Sequence, residues 1–241
     1  MGGNNIMSLF PLSVTPSTIP GLTLWLDAAD PSTITIATGV SSWRDKSGNG
    51  LNASQATGSA QPVYQQSVLS GLPALYFDGS NDFLSIPDNP LLEFPTGGYT
   101  IFFVFRYITT GLVAKFSKGN NSSTDAGYSV TSTSFRGRTD SAVSYTSGTG
   151  FSANVDIVGT FVQKSNGTDQ DYYNQSGFIT TTTAAGGTTG STSDFRIARS
   201  GSSNYCEMYA HEFCFYKREL GSTEITNMRR YLANKWGISI S

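Results

Sequence analysis

The chain has 241 residues, of which 38% are hydrophobic, 12% aromatic and only 13% charged, enough apolar material for one large all-β unit. A net charge of −2, with no basic run interleaved with aromatics, argues against a nucleic-acid partner. No apolar stretch approaches the ~20 residues of a membrane span, and abundant aromatics at low charge exclude a disordered chain.

Residues 1–20 hold three prolines and little periodicity, and are expected to form an arm, mobile or laid along a partner. This stretch has no basic n-region, and Pro11 and Pro16 break its apolar piece, so it does not read as a signal peptide. Ile6 stands where an N-myristoylation signal wants Ser or Thr. Strand patterning begins at 22–26, where Leu22, Leu24 and Leu26 alternate. It resumes at 40–43, 74–77 and 83–87. Residues 99–107 (YTIFFVFRY) are apolar on both faces, which places that strand centrally. Further strands are expected over 125–133, 142–145, 157–163, 170–173, 178–183, 195–198 and 212–216, separated by Gly, Ser and Asn turns. Asn166-Gly167 marks a hairpin. Only the end reads as helix: Ile225, Met228, Leu232 and Trp236 recur at helical spacing, Gly221-Ser222-Thr223-Glu224 supplies a cap, and Gly237 a left-handed stop. The expected organisation is an arm over 1–20 and one sandwich over 21–241.

Three segments then carry a resemblance: 24–30 (LWLDAAD), 43–50 (WRDKSGNG) and 75–84 (LYFDGSNDFL). With Tyr172-Tyr173-Asn174, residues 212–220 (EFCFYKREL) and residues 231–238 (YLANKWGI), they resemble, in order, laminin G-like domains of the concanavalin A-like lectin–glucanase class. Such domains occur in bacterial surface, phage and large DNA virus proteins. The resemblance implies an all-β fold, a two-sheet antiparallel jelly roll closed by one C-terminal helix. It implies less about activity, because the fold hosts lectins, glucanases, adhesion modules and virion proteins alike.

Two loops space oxygen-bearing side chains as a calcium site would: Asp45, Ser47 and Asn49, then Asp78, Ser80 and Asp82. Ala56 replaces the Glu an EF-hand requires. The competing reading is a pair of turns in which Asp and Asn bond their own backbone, with Gly48 and Gly50 at positive φ. Calcium is the one cofactor the spacing suggests.

Catalysis finds little to work with. Glu207 and Glu212, flanking the single histidine His211, are the nearest carboxylate pair, and their odd spacing sends them to opposite faces of a continuous strand. The chain is therefore read as no enzyme. Cys206 and Cys214, evenly spaced, would share one face of a strand too far apart to bridge, and are read as buried thiols. Trp25, Trp43 and Trp236 read as core. For a bound sugar, candidate stacking and hydroxyl-reading groups are Tyr145, Tyr172, Tyr173, Asn174 and Tyr205. The expected function is a non-catalytic binding module for a glycan or a surface or capsid protein, on a virion or cell surface. The alternative is a structural virion protein that assembles, with itself or with neighbours, through the 1–20 arm.

Overall fold

The computed structural model describes residues 14–93, 97–108, 115–119, 127–131, 135–139, 142–145, 151–183, 191–201 and 204–241. Chain order begins with β1 (Leu22–Asp27), β2 (Ile34–Ile36), β3 (Val40–Trp43), β4 (Ala53–Ser54), β5 (Val63–Leu69), β6 (Leu72–Asp78) and β7 (Leu84–Ile86). The middle holds β8 (Tyr99–Tyr107), β9 (Phe116–Lys118), β10 (Gly127–Val130), β11 (Phe135–Thr139), β12 (Ala142–Tyr145), β13 (Ile157–Gln163), β14 (Asp169–Asn174) and β15 (Gly177–Thr183). Then come β16 (Phe195–Ile197), β17 (Arg199–Ser200), β18 (Asn204–Tyr205), β19 (Glu207–Tyr216) and the helix α1 (Ser222–Trp236).

Eight strands form one antiparallel sheet in the order β15-β14-β13-β8-β19-β6-β5, with β1 paired to β19. Nine form the facing sheet, β12-β11-β10-β9-β16-β7-β4-β3-β2, and β17 and β18 make a short ribbon. The architecture is the expected all-β sandwich with one C-terminal helix.

Residues of β8 are buried on both faces, except Arg106, because the facing sheet covers one side and α1 lies against the other. Inward, Phe103 packs on Phe116, and Phe116 on Phe195, Phe213 and Tyr128, giving an aromatic core between the sheets. Gly159 of β13 is required here: a Cβ would stand 2.1 Å from the Phe103 ring. Outward, the Tyr216 hydroxyl reaches Met228 Sδ of α1 at 3.8 Å, and the His211 and Trp236 rings are 5.0 Å apart.

Strand β19 changes partner along one edge. Residues 207–210 pair with β6 and residues 212–216 with β1, while β8 runs along the other edge. His211 is the extra residue of a bulge at that junction, and its carbonyl accepts the Ala28 N–H at 2.9 Å. The bulge corrects two expectations based on strict alternation. Glu207 and Glu212 lie on the same outward face, and Cys206 and Cys214 do not share one; both thiols are free and buried. One inserted residue inverts the parity of everything after it.

Residues 14–20, placed with the arm on sequence, pack on the sandwich: Ile19 is in the core and Tyr216 donates its hydroxyl to the Pro16 carbonyl at 3.0 Å. Residues 1–13 lie outside the described residues.

Candidate functional site

The outward face of the eight-stranded sheet carries two polar regions, one at each end of α1. At the C-terminal end, Glu212 is fully buried and receives Trp25 Nε1 at 2.8 Å, Trp236 Nε1 at 2.7 Å and Lys235 Nζ at 2.7 Å. Lys235 also reaches Asp27 at 2.6 Å, and Lys46 bridges Asp27 and Asp30 at 2.9 and 2.8 Å while lying 4.3 Å from the Trp25 ring centre. Burial, with Asp27 close by, raises the Glu212 carboxyl above its ordinary range. Each carboxylate here has an ammonium partner, and Glu212 is closed off from solvent. Glu207 is engaged separately by the Tyr76 hydroxyl at 2.8 Å.

The N-terminal end of α1 is different. Helix residues, the β14–β15 hairpin and residues 240–241 enclose a groove of ≈ 310 Å³. Its floor is aromatic: Tyr173 is half-buried, Phe178 is 56% exposed, and their rings meet edge-on at 5.5 Å. The hairpin is set by the Asn174–Gly177 turn, where Asn174 Oδ1 accepts the Ser176 N–H at 2.8 Å. Arg229 forms one wall, its guanidinium 5.5 Å from the Tyr173 ring centre and donating through Nη2 to the Asn174 carbonyl. Its Nη1 is buried without a hydrogen-bond partner. An orphaned buried donor generally costs about 1–3 kcal/mol, so Nη1 would gain from any acceptor brought within its reach. Burial also draws the Arg229 guanidinium down from its ordinary value, though an arginine stays charged at neutral pH. Arg230, exposed, continues the wall.

The structure places the sequence candidates unevenly. Tyr173 is in the groove, and Asn174 supports it through backbone and turn. Tyr172 points the other way: it is fully buried against Phe161, and its hydroxyl reaches Gln170 at 2.5 Å, so it is a core residue. Strand alternation separates it from its neighbour. Tyr205 lies elsewhere, on β18, beside Phe83 and Arg199. Tyr145 belongs to β12, and its side chain lies outside the described residues. Arg229 and Phe178 escaped sequence reasoning. The usable sign was an arginine inside the buried stripe of α1, one position after Met228.

The two Asp loops are held by their own hydrogen bonds. Asp45 Oδ1 accepts the N–H groups of Trp25 and Ser47 at 2.9 and 2.8 Å, and Oδ2 accepts Leu51 N–H at 3.1 Å and the Ser47 hydroxyl at 2.7 Å. Asn49 donates to the Thr23 carbonyl at 3.0 Å. Gly48 and Gly50 stand at φ 92° and 73°, which the turn requires. Asp78 Oδ1 likewise accepts Ser80 N–H at 2.8 Å and Asn81 N–H at 3.2 Å, and Asp82 Oδ2 accepts Asp78 N–H at 3.2 Å. Among the described residues no group of three or more His, Cys, Asp or Glu is arranged to hold a metal ion.

No protein-family model matches the chain, and no curated protein matches it in sequence. Solved structures do. Trypanosoma rangeli sialidase in complex with sialic acid is similar with TM-score 0.60 and 16% identity, over 90% of this chain and 33% of that one. The binding domain of Paraclostridial Mosquitocidal Protein 1 gives TM-score 0.64 and 13% identity, over 93% and 56%. Domain 4 of AbnA, a GH43 extracellular arabinanase from Geobacillus stearothermophilus in complex with arabinotriose, gives TM-score 0.62 and 13% identity, over 86% and 97%. The chain thus spans a third of the sialidase and nearly the whole of the arabinanase domain. At these identities the likeness establishes the fold: a β-sandwich compatible with the concanavalin A-like jelly roll.

Proposed function

We propose that this chain is a non-catalytic, laminin G-like carbohydrate-binding module, and that its site is the groove between α1 and the β14–β15 hairpin. The observation that carries the reading is the groove itself, where an open aromatic pair, Tyr173 and Phe178, stands beside an orphaned arginine donor. Aromatic faces seat the apolar side of a sugar ring, and buried polar groups read its hydroxyls. Further support comes from the arabinanase domain, which matches over nearly its full length and whose structure holds arabinotriose. The non-catalytic part rests on the sealing of Glu212 and the capture of Glu207 by Tyr76.

Binding on this reading needs no calcium, since backbone donors occupy both Asp45 oxygens and Asp78 Oδ1. Display on a virion or cell surface, through the N-terminal residues, is the setting the composition of that segment favours. A broad glycan array probed with the labelled chain, with calcium and with a chelator, tests the function. Binding to a defined glycan set, lost in Tyr173→Ala and indifferent to calcium, is the expected result. Binding to no glycan under either condition would overturn it.

A further inference from the structure

A neutral sugar offers hydroxyl acceptors to guanidinium donors but nothing to balance their charge. Arg229 and Arg230 both line the groove, and no Asp or Glu side chain does. The other basic groups around α1 are matched: Arg218 with Glu224, Lys235 with Asp27 and Glu212, and Lys164 with Asp171 and Glu219. For Arg230 no ion pair is found among the described residues. Arg229 is 4% exposed, with Nη1 buried and unpartnered, although Nη2 is fixed on the Asn174 carbonyl. Ser222, the first residue of the 15-residue helix, lines the same groove. The first amide N–H groups of a helix lack partners within it, and the helix dipole makes that end attractive to anions. The first turn of α1, however, already carries Glu224, which accepts the Gly221 N–H at 3.0 Å, so the positive potential over the aromatic floor comes from the two arginines.

We propose that the groove takes a saccharide bearing a carboxylate, with the ring seated on Tyr173 and Phe178 and the acid group held by Arg229 and Arg230. This rests on the glycan-binding reading and narrows its ligand class. A planar guanidinium matches a carboxylate through paired hydrogen bonds, and such charged bonds are about twice as strong as neutral ones.

Calorimetric titration of the full chain tests it with two matched pairs of probes. Trigalacturonate and its fully methyl-esterified form share shape and hydroxyls but differ in charge. Sialyllactose and its sialic acid methyl ester form the second pair, which separates a nonulosonate source of the carboxylate from a uronate one. In at least one pair the acid should bind roughly tenfold tighter than its neutral counterpart, and Arg230→Gln should erase most of that preference, a charged hydrogen bond being worth about that factor. Arg230 is exposed, so this variant leaves folding aside. Equal binding of acid and neutral forms, both lost in Tyr173→Ala, would overturn the carboxylate and spare the glycan module. An acid preference that survives Arg230→Gln would also overturn it, by locating the acid elsewhere. No binding of any of the four sugars would point to failure of the glycan reading itself.

Discussion

The two ends of α1 meet the same sheet face with opposite economies of charge. At the C-terminal end, the carboxylates of Glu212, Asp27 and Asp30 share Lys46 and Lys235 in one ion-pair network between Trp25 and Trp236. Toward the N-terminal end, the groove that mid-helix Arg229 and Arg230 line has no Asp or Glu side chain. The first is a clasp fixing the helix to the sheet; the second is the surface proposed to bind. Charge alone marks neither. What separates a structural cation from a binding one is whether the fold has already supplied its counter-charge.

Substitutions should divide along that line. Glu212→Ala leaves two indole N–H groups without their acceptor and Lys235 with Asp27 alone, and should cost about 3–5 kcal/mol in urea unfolding. An unfolding free energy within error of wild type would dissolve the clasp. Asp45→Ala orphans the N–H groups of Trp25, Ser47 and Leu51 and should cost about 1–3 kcal/mol. On the unmodified chain, calcium should leave the melting temperature unchanged; a clear upward shift would show by linkage that the loop holds an ion.

Asp82 sharpens the contrast, being a buried carboxyl with no ion pair among the described residues. Burial pushes it up to about 6, opposed by the Asp78 N–H it accepts and helped slightly by the Asp78 charge. The folded state then holds its proton more tightly than the unfolded state, whose Asp titrates near 4. This group's contribution to stability must therefore fall as pH rises from about 4 to about 6. A melting profile compared between wild type and Asp82→Asn should show that slope only in wild type. Smallest is the effect of Arg230→Gln on stability, within about 0.5 kcal/mol, as for an ordinary surface change. A large loss there would make the open end structural too.

Most of the sandwich was legible in the residues. Strand β8 announced itself by being apolar on both faces, the β13–β14 hairpin by Asn166-Gly167, and α1 by its apolar stripe and caps. Strand β5 was not legible, because it is an edge strand: Gln65, Gln66 and Ser67 carry no alternation, and its register shifts between Gln65 and Leu69. Nor was β9, whose Lys118 is buried by an ion pair with Asp88 and by the carbonyls of Ser191 and Ser193. The bulge at His211 was invisible, since alternation assumes no inserted residue. Of the site, only Tyr173 and its neighbour Asn174 could be singled out. The groove needs a hairpin and a helix about fifty residues apart, and Arg229 looks like any solvated helical arginine until the sheet covers it.

Mapping backbone amide shifts by NMR during titration with a bound saccharide tests the central claim most directly. The account predicts that perturbed amides cluster at residues 173–178, in the first two turns of α1 and at 240–241, while those around Asp45, Asp78 and Glu212 stay still. Saturable perturbations centred on the Asp45 or Asp78 loops, or on the outer face of the nine-stranded sheet, with the groove silent, would contradict it.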